Sequence, residues 1–320
     1  MSLTRRAFLQ SAAAGIGALA VPMLGEARVK TDLRVAYAGS MGALMHGGVA
    51  PVMAREFSMH IEGRAAGALG LAHMIVGGVI HPDVFISITR GPMDLVLAAG
   101  KAQEALAIAS TELVIAYSAH SRFAPALRAA DRAGHTPWWQ VLEEPGLRFA
   151  RTDPLTDPQG LNIVFMMKLA ERYYHQPGLV RRILGPIINH RQIFPEPEVM
   201  ARLQGGQIDA SSAYKTQPAA MGLPYLSLPP QINLGDAAYD EVYDTVSLRL
   251  KGKVHRPSPL VFYAAVLKAS RNRAAAGHFI DWLRASAGQA LLRRYHYDGP
   301  KGAAPLRAST LHRHRARPSP

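Results

Sequence analysis

Short apolar runs of strand length alternate with longer stretches of helical periodicity along most of the chain. Leu33–Ala38 is the first such run, and it stops at Gly39-Ser40 before a helical pattern over Met41–Phe57. Phe57–Gly63, Pro82–Ser87 and Thr111–Tyr117 repeat the strand pattern with helical segments between them. A second cycle places strands at Leu147–Arg151, Ile208–Tyr214 and Tyr225–Leu228. Helices fall over Asp157–Tyr174, opened by Asp157-Pro158, and over Pro197–Gly205. Tyr243–Leu250 and Leu260–Leu267 then read as strands, and Ala274–Tyr295 as one or two amphipathic helices. Strands and helices in alternation predict α/β sheets with crossover helices. Two lobes, with the chain crossing between them near Tyr117 and near Gly235, are the simplest arrangement of this order. Small ligands of such sheets bind at the carboxyl ends of the strands.

Composition narrows the class. The 320 residues are 48% apolar and 18% charged, which is globular, and the length suffices for two cores. The chain has no Cys, which excludes disulfide frameworks, thiolate zinc sites, Fe–S clusters and a Cys-linked lipid anchor. A formal net charge of +13 invites a nucleic-acid reading. Part of that excess, however, lies in the two ends, and the milder excess on the body suits capture of a small anion.

Residues 1–27 read as an export signal. Arg5-Arg6 stands directly before the Ala/Gly-rich apolar stretch Ala12–Leu24, and Ala18-Leu19-Ala20 and Gly25-Glu26-Ala27 offer small-x-small exits. That stretch is too short to anchor in a bilayer. The pattern resembles a twin-arginine signal, which places the mature protein in the periplasm. Residues 299–320, with Lys301, Arg307, Arg313, Arg315 and Arg317 and no acidic partner, read as a disordered basic tail.

No G-x-S-x-G, Walker A or H-E-x-x-H pattern occurs, and the glycines of Gly63–Gly70 have the wrong spacing for a dinucleotide loop. Strand-to-helix turns with small polar residues do recur. Gly39-Ser40 either caps a helix or aims a hydroxyl and backbone N–H groups at an oxyanion. Asp157 reads first as a helix N-cap followed by Pro158. Tyr214, at a strand end, either packs or donates its hydroxyl to a ligand.

Taken in order, these segments resemble the periplasmic molybdate/tungstate-binding proteins of ABC importers, over about Leu33–Tyr297. Tyr37-Ala38-Gly39-Ser40 is similar to the family's first anion loop. His81–Ser87 resembles its P-A-D-V strand, Thr111–Tyr117 its crossover strand, and Asp153–Gly160 its N-P-x-x-D-P-x-G. Ala213–Thr216 resembles its Y-K-[ST] turn, Leu228–Asp236 its L-P-x-x-I-N-L, and Ser286–Leu292 its S-x-x-G-Q helix. The resemblance implies a type II two-lobed binding protein with lobe 1 over 31–116 and 236–298 and lobe 2 over 117–235. It implies a cleft that closes on a tetrahedral oxyanion and delivers it to a membrane permease. It also implies a monomer without catalytic residues, cofactor, nucleic-acid partner or any metal beyond that of the oxyanion. Carried over by position, the donors are Gly39-Ser40, the backbone N–H groups of Gln159 and Val199, and Tyr214, with Asp157 as a carboxylate beside the metal. Ala68 stands where the family's second anion-loop Ser is expected, and Ala213 where the tungstate-type branch has Glu. With Asp157 the only carboxylate, these departures predict a four-coordinate anion held by hydrogen bonds. Two rival readings are the same fold holding a different small ligand, such as an organic one, and a periplasmic enzyme.

Overall fold

The computed structural model describes residues 31–130 and 137–309. The twin-arginine segment and residues 310–320 of the basic tail lie outside the described residues.

Two sheets organise the chain. The six-stranded sheet is built from β1 (Thr31–Ala38), β2 (Met59–Ala66), β3 (Val84–Ile88), β4 (Glu104–Ser110), β11 (Val261–Val266) and β12 (Leu306–Arg307), in the order β12-β4-β11-β3-β1-β2. β1 runs parallel to β2 and β3, whereas β11 is antiparallel to β3 and β4. β1 is buried on both faces: Leu33, Val35 and Tyr37 enter one apolar cluster and Ala36 the other, which is why its sequence is a nearly continuous apolar run. β2 lies at the edge, and its exposed His60, Glu62 and Arg64 discourage pairing with another chain.

The four-stranded sheet contains β5 (Leu113–Tyr117), β6 (Phe149–Ala150), β7 (Ala210–Tyr214) and β8 (Tyr225–Leu226), in the order β6-β7-β5-β8. β6 is parallel to β7, and β5 is antiparallel to both β7 and β8. A hairpin of β9 (Leu248–Leu250) and β10 (Lys253–His255) stands apart. The helices used below are α1 (Ala68–Val76), α2 (Pro158–Tyr173), α3 (Glu196–Gln204), α4 (Thr216–Ala220), α5 (Arg273–Arg284) and α6 (Ser286–Arg294). Ten residues of α2 are buried, including Ile163, Phe165 and Met166. Each large apolar side chain so buried contributes about 1.5–3 kcal/mol.

The chain crosses between the sheets at two adjacent places. Only Thr111 and Glu112 separate β4 from β5, and the return step lies between Leu260, packed in the core of the four-stranded sheet, and Val261, packed on the other. Thr111 N donates to Leu260 O at 3.0 Å, so the crossings run side by side. Gly235 fits against them because a Cβ there would stand 2.6 Å from the Glu112 Cβ.

Several expectations are corrected. β5 belongs wholly to the second sheet, so the first crossing precedes Leu113 rather than lying near Tyr117. Tyr243, Val246 and Leu260 pack on the second lobe's core, so the return comes later than Gly235. Tyr243–Leu250 is not one strand: Asp240–Tyr243 is a helical turn, and only Leu248–Leu250 is extended. The segment from 299 to 309 is not a free tail. Lys301 pairs with Asp298 at 3.6 Å, and Leu306 and Arg307 extend the first sheet opposite Ala105 and Glu104.

Candidate functional site

The parallel strands of each sheet bring their carboxyl ends, and the helices that follow, to one edge. In the first lobe, Ala38 of β1 pairs with Ala66 of β2, so the next turns, Gly39-Ser40 and Gly67-Ala68, are neighbours. Ser40 sits in a 3-10 turn, Gly39–Met41, whose N-cap receives no side-chain hydrogen bond. The capping role is therefore not what Ser40 does; its Oγ is buried and has no hydrogen-bond partner among the described residues. Ala68 is the first residue of α1, with Gly67 as N-cap and no side-chain cap. Its N–H is one of the donors that a helix leaves unsatisfied at its start.

The second lobe repeats the arrangement with β6 and β7. Beyond β6, Arg151 is fully buried, and its guanidinium donates to the carbonyls of Pro186 and Ile187 and to Gln192 Oε1, fixing the loop that leads to Asp157. Burial pushes that guanidinium down to about 10. Asp157 then caps α2, its Oδ1 accepting from Gln159 N at 2.8 Å. Gly160 follows so closely on the Thr152 carbonyl that a Cβ would stand 2.4 Å from it.

Tyr214 ends β7. Its hydroxyl accepts from Asn162 Nδ2 of α2 at 3.1 Å, which leaves its proton for another acceptor. Burial raises the Tyr214 pKa, so it remains a donor. Ser212, on the same face of β7, has a buried Oγ without a partner among the described residues, and the Gln159 side chain donates to its carbonyl at 3.1 Å.

Two backbone donors expected from the sequence are engaged. Gln159 N–H serves the Asp157 cap. Val199 N–H closes the first turn of α3 on Pro195 O at 3.0 Å, because that helix begins at Glu196. The first-turn N–H groups without an intrahelical acceptor are those of Glu196 and Glu198, Pro197 having none.

Glu196 was not singled out by the sequence. Its Oε1 accepts from Gln217 Nε2 of α4, and Gln217 Oε1 in turn accepts from Tyr214 N at 3.0 Å. Glu196, Gln217, Tyr214 and Asn162 thus form one hydrogen-bonded line from α3 to α2. Burial raises Glu196, and the Asp157 charge adds to that shift. Asp157 is likewise raised by burial, against the opposing pull of Gln159 N–H, the Thr152 hydroxyl and Gly160 N–H. A sequence signal existed only in part: Pro195-Glu196-Pro197-Glu198 announces a helix start, but not which carboxylate turns inward.

The two half-sites are joined through the hinge. Lys215, next to Tyr214, pairs with Asp298 at 2.5 Å and with Glu112 at 3.5 Å. Tyr297, next to Asp298, donates its hydroxyl to Ser40 O at 2.9 Å. Burial would lower the Lys215 pKa, but Asp298 and Glu112 outweigh it and hold it raised. A short path therefore leads from Tyr214 in one lobe to Ser40 in the other.

The profile of the bacterial extracellular solute-binding protein family matches residues 33–298. The chain belongs to this family. Among its relatives, it is 29% identical over 212 residues to the molybdate/tungstate-binding protein WtpA of Pyrococcus abyssi, covering 59% of this chain and 60% of that protein. The match thus spans less than two thirds of that relative's length. A putative ABC transporter molybdenum-binding protein of Haloferax volcanii is 29% identical over 296 residues, 90% of each chain. The structure is similar to the periplasmic molybdate-binding protein of Azotobacter vinelandii, with a TM-score of 0.59 and 18% identity over 84% of this chain and 99% of that one. It is also similar to iron-bound HitA of Pseudomonas aeruginosa, with a TM-score of 0.53 and 15% identity over 88% and 95%. The fold is therefore that of the two-lobed, type II binding proteins, a scaffold whose ligands differ from one member to another.

Proposed function

We propose that the mature protein is a periplasmic solute-binding protein that captures molybdate or tungstate between its lobes and hands it to an ABC permease. The observation that carries this reading is the pairing of two free donors on opposite sides of the hinge. Ser40 Oγ is buried without a partner, and Tyr214 retains a proton to give. Charge-assisted hydrogen bonds of this kind are about twice as strong as neutral ones. The helix starts at Ala68 and Glu196 add backbone dipoles suited to an anion. The relatives named as molybdate/tungstate-binding and as molybdenum-binding support the choice of ligand. On this reading the protein acts as a monomer, takes part in no chemical conversion, binds no nucleic acid, and leaves the cytoplasm by the twin-arginine route. Native mass spectrometry of the mature protein mixed with molybdate or tungstate tests it: one oxyanion per chain is expected, and a spectrum of bare protein alone contradicts it.

A further inference from the structure

We propose that Asp32, His60 and Glu62 form a cation site on the outer edge of the six-stranded sheet, one that takes a divalent ion of the zinc class through an imidazole nitrogen and two carboxylates. The sequence resemblance implies no metal besides that of the oxyanion. This second site stands apart from the cleft and does not depend on the oxyanion reading.

The strand register brings the three residues together. Asp32 of β1 is the direct partner of His60 of β2, and Glu62, the next residue of β2 on that side, returns to the same face. His60 Nδ1 stands 3.1 Å from Asp32 Oδ1, and one ligand atom from each of the three lies within 4.8 Å of the other two. Ligands of a tetrahedral zinc stand about 3.4 Å from one another. The His–Asp pair already has nearly that spacing, and the exposed Glu62 side chain closes the rest by rotation. An imidazole with two carboxylates suits zinc, whereas calcium and magnesium take oxygen ligands. An ion bound through Nδ1 takes the place of the proton that His60 donates to Asp32, and that proton leaves to solvent.

The charges at this edge point the same way. Arg34 is the register partner of Glu62, but its guanidinium turns to the buried Asp83, Nε to Oδ2 at 3.3 Å. Glu62 makes no hydrogen bond or ion pair among the described residues, although Arg64 also follows it on the same face. Its carboxylate instead joins that of Asp32 beside an imidazole. Two like charges so placed repel, and a cation between them turns the repulsion into attraction. The backbone beneath is fixed: Asp32 O accepts from Asn272 Nδ2 at 2.8 Å, just before α5, and Thr31 N donates to Ser58 O at 3.0 Å where β2 begins. A site held in this way has little left to order on binding. Asp32 and His60 lie six residues before Ala38 and Ala66 in the register, about 20 Å from the turns of the proposed oxyanion site. An ion there clamps the edge strand β2 to β1 without entering the cleft.

The test is a calorimetric titration with zinc chloride. The parent is the mature protein carrying His312→Gln and His314→Gln, which removes the histidine pair of the tail, and His60→Gln, Glu62→Gln or Asp32→Asn is added to it singly. Each of these amides keeps the approximate size of the side chain it replaces but is a far poorer zinc ligand. The expected result is one tight zinc per chain in the parent, a melting temperature that rises with zinc, and an affinity at least ten-fold lower in all three variants. Equal affinity in the variants, or only weak binding at several sites in every protein, overturns the proposal. Asp32, His60 and Glu62 are exposed, so without zinc the four proteins should melt together, and that coincidence shows that lost affinity is lost ligation.

Discussion

On the proposed reading, Ser40 and Tyr214 divide the binding work between the lobes. A hydrogen bond to a charged group contributes roughly 1.5–3 kcal/mol, so Ser40→Ala and Tyr214→Phe are each expected to weaken oxyanion binding about ten-fold or more. Neither change opens a large cavity, and calorimetry on the two variants checks the expectation. Glu196 makes a separate prediction for the ligand-free protein. Its folded-state pKa lies above its ordinary value of about 4.3. A carboxyl shifted upward contributes stability below its unfolded pKa and loses that contribution as pH rises through its folded pKa. Glu196→Gln should therefore melt higher than wild type at pH 7, with the two curves converging below about pH 4. Melting temperatures recorded across that range decide the sign. At this scale the sequence was partly legible. Asp157-Pro158 showed its cap directly, whereas the inward turn of Glu196 is set by its hydrogen bond with Gln217 of α4, a tertiary contact that the local pattern does not encode.

Among the elements, the start of α2 would carry the second lobe's part of the proposed site. Its position depends on the close approach of Gly160 to the Thr152 carbonyl, 2.4 Å from where a Cβ would lie. In an unconstrained helix, replacing Gly by Ala stabilises by about 1 kcal/mol. Here the methyl group meets backbone, and the overpacking is expected to cost about 1–3 kcal/mol instead. Gly160→Ala should lower the melting temperature and also weaken oxyanion binding, because the helix and its Asp157 cap must move together. Strands of continuous apolar character, such as β1 and β11, were readable from hydrophobic pattern alone. β4 was missed, because Ala-rich Glu104–Ser110 has weak strand preference and is held by the strands on either side. The helical turn at Asp240–Tyr243 was missed for a related reason. Tyr243 is buried and its hydroxyl donates to Pro230 O at 2.5 Å, a tertiary contact that the local pattern does not encode.

At the scale of the molecule, the two-lobed plan followed from the order of strands and helices, but the crossing points did not. Both crossings are short, and neither Thr111-Glu112 nor Leu260-Val261 has the Pro/Gly-rich composition that marks a linker. The basic charge was legible as a total and misleading in part. Lys301 and Arg307 are tied to Asp298 and Glu104 rather than free. Export makes its own prediction: changing Arg5 and Arg6 together to Lys should leave unprocessed precursor in the cytoplasm, and fractionated cells probed for the protein would show it. The central claim is tested most directly by titrating the mature protein with molybdate and tungstate in a calorimeter. One site per chain, saturating with both metallates, is the predicted result. No heat and no shift in melting temperature with either metallate at millimolar concentration would contradict it.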